Sequence, residues 1–308
     1  MRVVVLAGGS GGAKLAAGLQ GLAGEGLSVI ANTADDVEIH GLYVSPDPDL
    51  ITYWLAEEID EERGWGIRDD TFTVHERLQR LGAPGWFQLS DRDLATCLYR
   101  THFRAEGGGL TAAQMQVSRA LGVSARVLPM CEQPVRTRVA TPAGWRGLQE
   151  FLILDHGQAP IEDVAVDGLD EARPTPEVLG ALAAAEVILI GPSNPVISIG
   201  PILSVPGMRD AIAAAGAPVV AVSPFVAGHA VKGPTEAFMT AIGRPVTAAG
   251  VASLYEGLLD GMVVDADDPD PDPWPEGIRI LSCSTLMEGP DGRRALAEAT
   301  LAFARRLA

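Results

Sequence analysis

The chain has 308 residues, of which 47% are hydrophobic and 20% charged, so it is long enough to bury a substantial core. Its formal net charge of −17 and isoelectric point near 4.6 exclude a broad nucleic-acid-binding surface, because phosphate backbones are bound by clustered Lys and Arg. Three widely spaced cysteines indicate neither a disulfide framework nor a zinc ribbon. We therefore expect a folded cytoplasmic protein that binds any anionic ligand locally.

Neither an export signal nor a membrane span is expected. The apolar run at the N-terminus, Val3–Ala7, is too short for the core of a signal peptide. Residues 187–208 are uncharged and long enough to cross a bilayer, but four prolines within them would break a spanning helix. We interpret this stretch as a buried strand followed by a loop.

The order of apolar runs predicts an α/β fold. Val3–Ala7 leads into glycines, a helical segment follows, and a second apolar run stands at residues 27–31. The alternation returns later, with predicted strands at 186–191 and 218–223 and predicted helices at 208–215 and 235–242. Such runs are typical of a parallel sheet with both faces covered by helices.

The whole chain, 1–308, is interpreted as one such unit with a mainly helical insertion at about 48–122. Apolar spacing predicts the helices of this insertion at 50–59, 72–81, 94–103 and 111–121. Strand-like runs at 125–128, 135–140 and 148–154 are expected to return the chain to the sheet. The Asp- and Pro-rich segment 265–277 is interpreted as a solvated surface loop rather than a metal site.

The glycine-rich segment after the first strand is a candidate phosphate site. Glycines let the backbone approach a phosphate, and the start of the following helix presents free N–H groups. A side chain at Gly11 or Gly12 would then stand between those groups and the phosphates. The alternative is a structural turn with Lys14 facing solvent, because the segment matches neither the dinucleotide fingerprint nor a P-loop. The candidates are Gly8, Gly9, Ser10, Gly11, Gly12 and Lys14.

Acidic residues follow the second predicted strand, at the edge where ligands collect in open α/β sheets. Asn32 is followed by Asp35 and Asp36, and then by Asp47 and Asp49. Carboxylates gathered on such loops are suitable ligands for Mg²⁺ and still leave a base. The alternative is that Asp47 is a turn residue and Asp49 the N-cap of a helix beginning near residue 50.

Polar residues elsewhere extend this candidate rim. One aspartate of segment 91–93 is a candidate N-cap, and Asp91 and Arg92 are candidates for ligand contact. Arg92 would clamp a phosphate or, as the alternative, pair with a neighbouring acid. Two further predicted strands end in small polar residues, Ser193 with Asn194 and Ser223. Segment 232–234 adds a lysine after the second of them. Each of these segments alone is an ordinary connection between a strand and a helix. Together, they predict a ligand-binding edge of the sheet.

In sequence order these motifs resemble those of the 2-phospho-L-lactate transferases of coenzyme F420 biosynthesis, over almost the whole chain. The resemblance rests on segments 6–15, 32–36, 41–49, 91–93, 128–130, 191–203 and 221–224. It implies a Rossmann-like core, a homodimer and Mg²⁺. It also implies a guanylylated three-carbon acid as donor and the deazaflavin Fo as acceptor. The acid would be 2-phospholactate, phosphoenolpyruvate or 3-phosphoglycerate.

The implied reaction transfers a substituted phosphate group. The ribityl hydroxyl of Fo attacks the phosphorus next to the three-carbon acid, and GMP leaves. By match to the family's motifs, Asp47 and Asp49 are the predicted metal ligands and catalytic residues. The glycine loop, Asn32, Ser193 and Asn194 are predicted to contact guanosine diphosphate, and the inserted helices to face the deazaflavin.

Cys97 and Gly147 stand where the family usually has histidine, and segment 131–133 reads Cys-Glu-Gln where the family usually has a Thr-Asp-Asp type segment. Cys97 is one of the candidates for ligand contact. Compared with histidine, it would leave more volume and would be a weaker hydrogen-bond donor near the carboxylate of the transferred acid. This predicts a preference for 3-phosphoglycerate over 2-phospholactate. Compensating changes and ordinary selectivity are the alternative.

Two other classes of protein are alternatives to the transferase interpretation. A related branch of nucleotide-sugar-binding regulators has a Gly-Gly-Ser-Ser-Gly-type segment after its paired aspartates, whereas segment 37–41 here reads Val-Glu-Ile-His-Gly. A nicotinamide oxidoreductase is disfavoured because the dinucleotide fingerprint fails. Binding of GDP, NADH and UDP-sugars would separate the three classes.

Overall fold

The fold was determined from a computed structural model, which describes residues 1–269 and 273–308. Its strands are β1 (Val3–Ala7), β2 (Leu27–Ala31), β3 (Val37–Ile39), β4 (Leu42–Val44), β5 (Arg126–Pro129), β6 (Arg136–Thr141), β7 (Gly144–Gly147), β8 (Asp163–Asp167), β9 (Val187–Ile190), β10 (Val219–Val222), β11 (Phe225–Val226), β12 (His229–Ala230), β13 (Gly261–Asp265) and β14 (Arg279–Cys283). Its α-helices are α1 (Gly9–Ala23), α2 (Pro46–Leu55), α3 (Thr73–Arg80), α4 (Asp91–Ala105), α5 (Leu110–Ala120), α6 (Leu148–Ile153), α7 (Pro176–Ala183), α8 (Gly200–Ser204), α9 (Met208–Ala214), α10 (Thr235–Ala241), α11 (Ala248–Leu254) and α12 (Gly289–Arg305).

A seven-stranded parallel sheet forms the centre, in the order β14-β13-β10-β9-β1-β2-β5. From β1 the chain runs outward through β2 to β5, and it then returns to the other side of β1 at β9. The strand order therefore reverses between β1 and β9, and crevices at such reversals are where open α/β sheets bind ligands. The predicted parallel sheet flanked by helices is confirmed.

The two faces of the sheet bury two separate apolar clusters. Along β1, Val4 and Leu6 face one cluster, while Val3 and Val5 face the other, as the two-residue period of a strand requires. Helices α7, α8, α9 and α11 cover the first face, and α1, α2 and α12 cover the second. The continuous apolar runs in the sequence follow from this burial on both sides.

Helices α2 to α5 fill the connection between β2 and β5, preceded by the β3–β4 hairpin. The predicted helices of this insertion are present, but α2 begins at Pro46 rather than near residue 50. Proline suits the first turn of a helix, where its missing N–H costs no hydrogen bond. Asp47 and Asp49 therefore lie inside the first turn, and Ser45 occupies the N-cap position.

Two of the three runs expected to return to the sheet do not do so. Only the first joins it, as the edge strand β5. β6 instead pairs antiparallel with β7 and β8 in a separate three-stranded sheet. Residues 148–153 form α6, where the Glu150 carboxylate accepts a hydrogen bond from the N–H of Gly147 at 3.0 Å. This local cap makes the short apolar run a helix, whereas its periodicity alone does not distinguish a helix from a strand.

The prediction of a solvated surface loop at 265–277 is wrong for its first residue. Asp265 ends β13 and is buried, with its carboxylate accepting hydrogen bonds from the N–H and hydroxyl of Thr285. Residues 270–272, which the same prediction includes, lie outside the described residues.

No single helix within residues 1–269 or 273–308 has both the length and the apolar character needed to cross a bilayer. The segments 195–204 and 208–214 meet both criteria only jointly, as a pair bent by 80°.

The contact between α1 and α12 predicts opposite effects for two glycines of α1. A Cβ added at Gly18 would overlap the carbonyl oxygen of Arg293 on α12, whereas one at Gly21 would meet no atom within 4 Å. We expect Gly18→Ala to destabilise the fold by about 1–3 kcal/mol through overpacking. Gly21→Ala should stabilise it by about 0.5–1 kcal/mol through helix propensity. Urea unfolding of both variants checks this, and equal midpoints would contradict the close helix contact.

Candidate active site

The glycine loop connects β1 directly to α1 at the carboxyl edge of the sheet. The N–H of Gly8 donates to Ser193 Oγ at 3.1 Å, and the N–H of Gly9 donates to Asp47 Oδ1 at 2.6 Å. The N–H groups of Ser10 and Gly11 follow in the first turn of α1, where no intrahelical acceptor exists. These two amides are the ones that the loop can offer to a phosphate.

Close packing explains why most of these residues are glycine. A Cβ at Gly8 would lie 2.7 Å from Asp47 Oδ2, and one at Gly12 would lie 2.5 Å from Ser193 Oγ. At Gly11 it would overlap the carbonyl oxygen of Pro192. The expectation that a side chain at Gly11 or Gly12 would stand between amides and phosphates is therefore corrected, because both positions face neighbouring protein. Only Gly9, with a φ of +61°, faces open space.

Asn32, at the end of β2, joins two carboxylates. Its Nδ2 donates to Asp35 Oδ1 at 2.8 Å and to Asp47 Oδ2 at 2.9 Å, while its Oδ1 accepts from the N–H of Ala34 at 3.0 Å. All three of the acidic and amide side chains are buried. The structure thus brings together predicted residues from two loops and places them beside the glycine loop.

Burial makes these carboxylates costly to ionise. Desolvation raises the pKa of Asp47 to about 6, against the hydrogen bonds from Asn32 and Gly9. Desolvation also raises the pKa of Asp35 well above its ordinary value, and the charge of Asp47 adds to this. Neither forms a salt bridge within the described part of the chain. Buried acids of this kind require a proton or a cation.

Asp36 lies next in sequence to Asp35 and is hydrogen-bonded to residues that precede Asp47. Its carboxylate accepts hydrogen bonds from the hydroxyls of Tyr43 at 2.6 Å and Ser45 at 2.8 Å. Burial raises the pKa of Asp36 to about 7. These bonds tie the loop after β2 to β4 and to the N-cap of α2. They therefore help to position Asp47 rather than offering a further ligand.

Asp49 lies apart from Asp47, although both were predicted to bind the metal together. Residues two positions apart in an α-helix are rotated by about 200° around its axis, so the two side chains leave α2 in different directions. Both oxygens of Asp49 accept from the fully buried guanidinium of Arg100, which also donates to Gln114. The pairing of Asp49 with Asp47 is therefore corrected. Asp49 anchors α2 to α4 through an ion pair.

Cys97 belongs to the same buried cluster. Its thiol and the carboxylates of Asp49 and Asp93 lie within 4.8 Å of one another. Burial raises the pKa of Asp93 to about 7, and its carboxylate accepts from the hydroxyl of Tyr53 at 2.8 Å. Cys97 is fully buried behind α2. The expectation that Cys97 contacts the transferred acid is corrected, and with it the part of the expected 3-phosphoglycerate preference that rests on Cys97.

Asp91 and Arg92 are occupied in helix capping. The Asp91 carboxylate accepts from the N–H groups of Thr73 and Val74, at the start of α3. In return, Asp70, which precedes α3, accepts from the N–H of Arg92 at 2.9 Å, at the start of α4. Each acid caps the other's helix rather than its own. The Arg92 side chain is 61% exposed and contacts backbone carbonyls near Asp70, so neither residue is placed at the glycine loop.

The remaining polar candidates divide between the loop and the scaffold. Ser193 contacts the glycine loop, as described above. Asn194 accepts from the N–H groups of Val196 and Ile197, and so caps the short π-helix Pro195–Ile199. Ser223 accepts from the N–H of Phe225 at 3.1 Å. Asn194 and Ser223 therefore shape the edge of the sheet.

Two lysines bring positive charge to this edge. Lys232 Nζ lies 3.5 Å from Ser10 Oγ and 3.4 Å from the carbonyl of Gly64, and Lys14 lies on α1 with its Nζ 5.6 Å from the Trp54 ring. Burial lowers the pKa of Lys232, and the charge of Lys14 contributes. A pair of cations beside free amides is suited to a phosphorylated ligand.

Sequence reasoning missed Arg100 and Tyr43. The one available signal was the spacing of Asp93, Cys97 and Arg100, which places them on one face of α4. Their acidic partner, Asp49, is distant in sequence, so only the folded chain reveals the pair.

The Asp49–Arg100 pair predicts a large cost for losing one partner. We expect Arg100→Met to destabilise the protein by about 3–5 kcal/mol, because it leaves Asp49 buried and unpaired. Adding Asp49→Leu should recover much of that loss. Arg294→Met, which breaks the exposed pair with Glu298, is the matched control and should shift the urea midpoint far less, because solvent screens this pair. A double-mutant cycle in urea measures the coupling, and additive losses would exclude a direct pair.

The chain is similar to known proteins over nearly its whole length. The family model described as 2-phospho-L-lactate transferase CofD matches residues 3–274. The phosphoenolpyruvate transferase of Streptomyces griseus is 41% identical over 99% of this chain and 98% of its own length. The 2-phospho-L-lactate transferase of Methanosarcina barkeri is 38% identical over 96% of each chain.

A solved structure shares the fold at lower identity. The crystal structure of a UPF0052 family member from Bacillus halodurans superposes with a TM-score of 0.63 at 20% identity, covering 97% of this chain and 98% of that one. The family match over residues 3–274 and the identity to its curated relatives agree with the motifs in the sequence. The chain belongs to the 2-phospho-L-lactate transferase family.

Proposed function

We propose that this protein transfers a phosphorylated three-carbon acid from a guanosine-diphospho donor to the ribityl hydroxyl of the deazaflavin Fo and releases GMP. One observation carries the proposal. The Asn32-linked carboxylates of Asp35 and Asp47 adjoin the free amides at the start of α1 and two lysines. This combination suits a reaction in which charge develops on phosphate oxygens.

Mg²⁺ fits this donor set. Asp35 and Asp47 supply the oxygen ligands that a hard divalent cation prefers, and the raised pKa of both acids means that a positive charge there would relieve the cost of their burial. These two acids are therefore the proposed ligands, in place of Asp47 with Asp49. When bound, the metal would neutralise charge on the donor's phosphates.

The residues of the chain have separate parts in the proposed reaction. The N–H groups of Ser10 and Gly11, with Lys14 and Lys232, would hold the phosphate oxygens. The hydroxyl oxygen of the acceptor forms a bond to the phosphorus beside the three-carbon acid as the bond from that phosphorus to GMP breaks. The hydroxyl proton would pass to a carboxylate oxygen of the Asp35–Asp47 pair that the cation leaves free, and the bonding electrons leave with GMP.

The family's curated relatives include enzymes named for phosphoenolpyruvate and for 2-phospholactate, which supports a transferred acid of this phosphorylated three-carbon class. A homodimer, which the family resemblance implied, remains part of the proposal. Incubating the protein with Fo, Mg²⁺ and each guanylylated acid, and reading the product mass, tests the reaction directly.

Removing the Asp47 carboxylate should abolish transfer without unfolding the protein. We expect Asp47→Asn to lower the single-turnover rate by about 10²–10⁴-fold, because it removes a metal ligand and a proton acceptor together. Its melting temperature should hold, since a costly buried charge is lost. Asp210→Asn, at an exposed site on α9, is the control. A variant of Asp47 with the wild-type rate at limiting Mg²⁺ would remove this residue from the reaction.

Mg²⁺ should stabilise the protein more at alkaline than at acid pH. The pKa of Asp47 is raised from 3.8 to about 6 on folding, so the folded state holds the proton more tightly than the unfolded state does. Its stabilising contribution is therefore complete below the unfolded value and is lost as pH rises through about 6. A cation can replace that proton above the folded pKa.

Thermal melts with and without Mg²⁺ at pH 5 and pH 8 check this expectation. The rise in Tm on adding Mg²⁺ should be larger at pH 8, and Asp47→Asn should remove most of the difference. An equal rise at both pH values in the wild-type protein would show that the ion binds elsewhere.

A further inference from the structure

A cavity of about 530 Å³ lies on the side of the sheet that α1, α2 and α12 cover. Its walls are the second half of α1, the end of α2, segment 57–68 and the start of α12. Gln20, in the α1 wall, is ten residues after Ser10, so about 15 Å of helix separates the cavity from the glycine loop. No described residue that is assigned to the proposed reaction lines this cavity.

Two side chains that line this cavity have a buried polar atom without a partner. Trp54 is only 3% exposed, and its indole Nε1 finds no acceptor among the described residues. Gln20 Nε2 donates to the carbonyl of Leu55 at 2.9 Å, which leaves Gln20 Oε1 as a buried acceptor that no described residue donates to. Burying such groups unpaired is costly. A ligand that satisfies both must accept one hydrogen bond and donate another.

Two guanidinium groups add unused donors to the cavity. Arg68 forms no ion pair within the described residues, and its Nη2 donates to the backbone carbonyl of Glu57 at 3.2 Å. Arg293 pairs with Glu61, at 3.0 Å from Nη1 and 3.5 Å from Nη2, and no other hydrogen bond to a described residue uses its N–H groups. Donors of this kind, next to the Trp54 indole, indicate an anionic ligand. Among the described lining residues, the exposed Glu57 is the one carboxylate that forms no ion pair.

We propose that this cavity is a second anion site, which binds a phosphate oxyanion that also carries a hydrogen-bond donor. Its oxygens would accept from Trp54 Nε1 and from the guanidinium groups of Arg68 and Arg293. Its hydroxyl would donate to Gln20 Oε1. Inorganic phosphate at neutral pH and small phosphate monoesters with a free hydroxyl have this combination. Sulfate has the same tetrahedral shape but no proton to donate.

Calorimetric titrations of the full-length protein with inorganic phosphate, glycerol 3-phosphate and sulfate test the proposal. We expect both phosphates to bind more tightly than sulfate, and the tighter of the two identifies a free or an esterified ligand. Arg68→Gln and Trp54→Phe each remove one donor and should weaken phosphate binding by roughly ten- to a hundredfold. Arg80→Gln, the same change at an exposed arginine on α3 outside the cavity, is the matched control and should keep the wild-type affinity.

Glu57→Gln should produce a gain that damage to the fold cannot imitate. It removes the unpaired carboxylate at the rim, so phosphate should bind roughly two- to fivefold more tightly. Weaker phosphate binding in this variant would overturn the inference, because the cavity would then favour a cationic ligand.

The location of the bound anion is tested by a change at the glycine loop. Lys232→Gln removes a cation there and should leave the phosphate site of this cavity intact. Binding that Lys232→Gln abolishes but Arg68→Gln and Trp54→Phe preserve would place the anion only at the glycine loop and would overturn the inference. Equal affinity of the wild type for phosphate and sulfate, or no phosphate binding at all, would do the same.

Discussion

The amide of Asn32 is the interaction on which the candidate site depends. Its two N–H bonds hold the carboxylates of Asp35 and Asp47, and its oxygen is fixed by the N–H of Ala34, which determines how the amide is oriented. Only an amide offers both the donors and the acceptor that this position uses. An acid here, which dinucleotide-binding folds usually have at the end of the second strand, would place three carboxylates together without a donor. The asparagine that replaces the usual acid and the acidic site therefore have a common cause.

Helix α2 serves the site by separating two acids. Asp47 accepts from the glycine loop on one side, while Asp49 on the other is held by Arg100. A buried ion pair contributes little net stability after desolvation, but it strongly penalises any arrangement in which the partners part. The pair therefore fixes where the first turn of α2 lies. The position of Asp47 follows from that constraint and from Asp36, which holds Tyr43 and Ser45 just before the helix.

Local pattern was enough to predict the sheet, the glycine loop and the helices of the insertion. Apolar runs such as Val3–Ala7 have one stable environment, and the residues that follow them must reach the same edge of a parallel sheet. The direction of individual side chains was not predictable in this way. Asp49 and Cys97 were assigned to ligand contacts from sequence position, yet both lie in the buried contact between α2 and α4. Arg100, which pairs with Asp49, is far from it in sequence, and only tertiary packing brings the two together.

Short elements were mispredicted for a related reason. The run at 148–154 is too short for periodicity to separate strand from helix, and the Glu150 bond to Gly147 decides it. The lysine in segment 232–234 does lie near the sheet edge, as expected, but the sequence did not predict its contact with Ser10, which is more than two hundred residues away along the chain. Such contacts depend on how loops from distant parts of the sheet meet, which no local pattern encodes.

The exchange of caps between α3 and α4 has a consequence for how this part of the insertion opens. Asp70 satisfies the amides that begin α4, and Asp91 satisfies those that begin α3, so fraying either helix start exposes polar groups of the other. The two starts should therefore open together as one cooperative unit, with amide hydrogens that exchange with solvent at a shared rate. The reciprocal caps then link the starts of both helices, and α3 and α4 should move together as one unit.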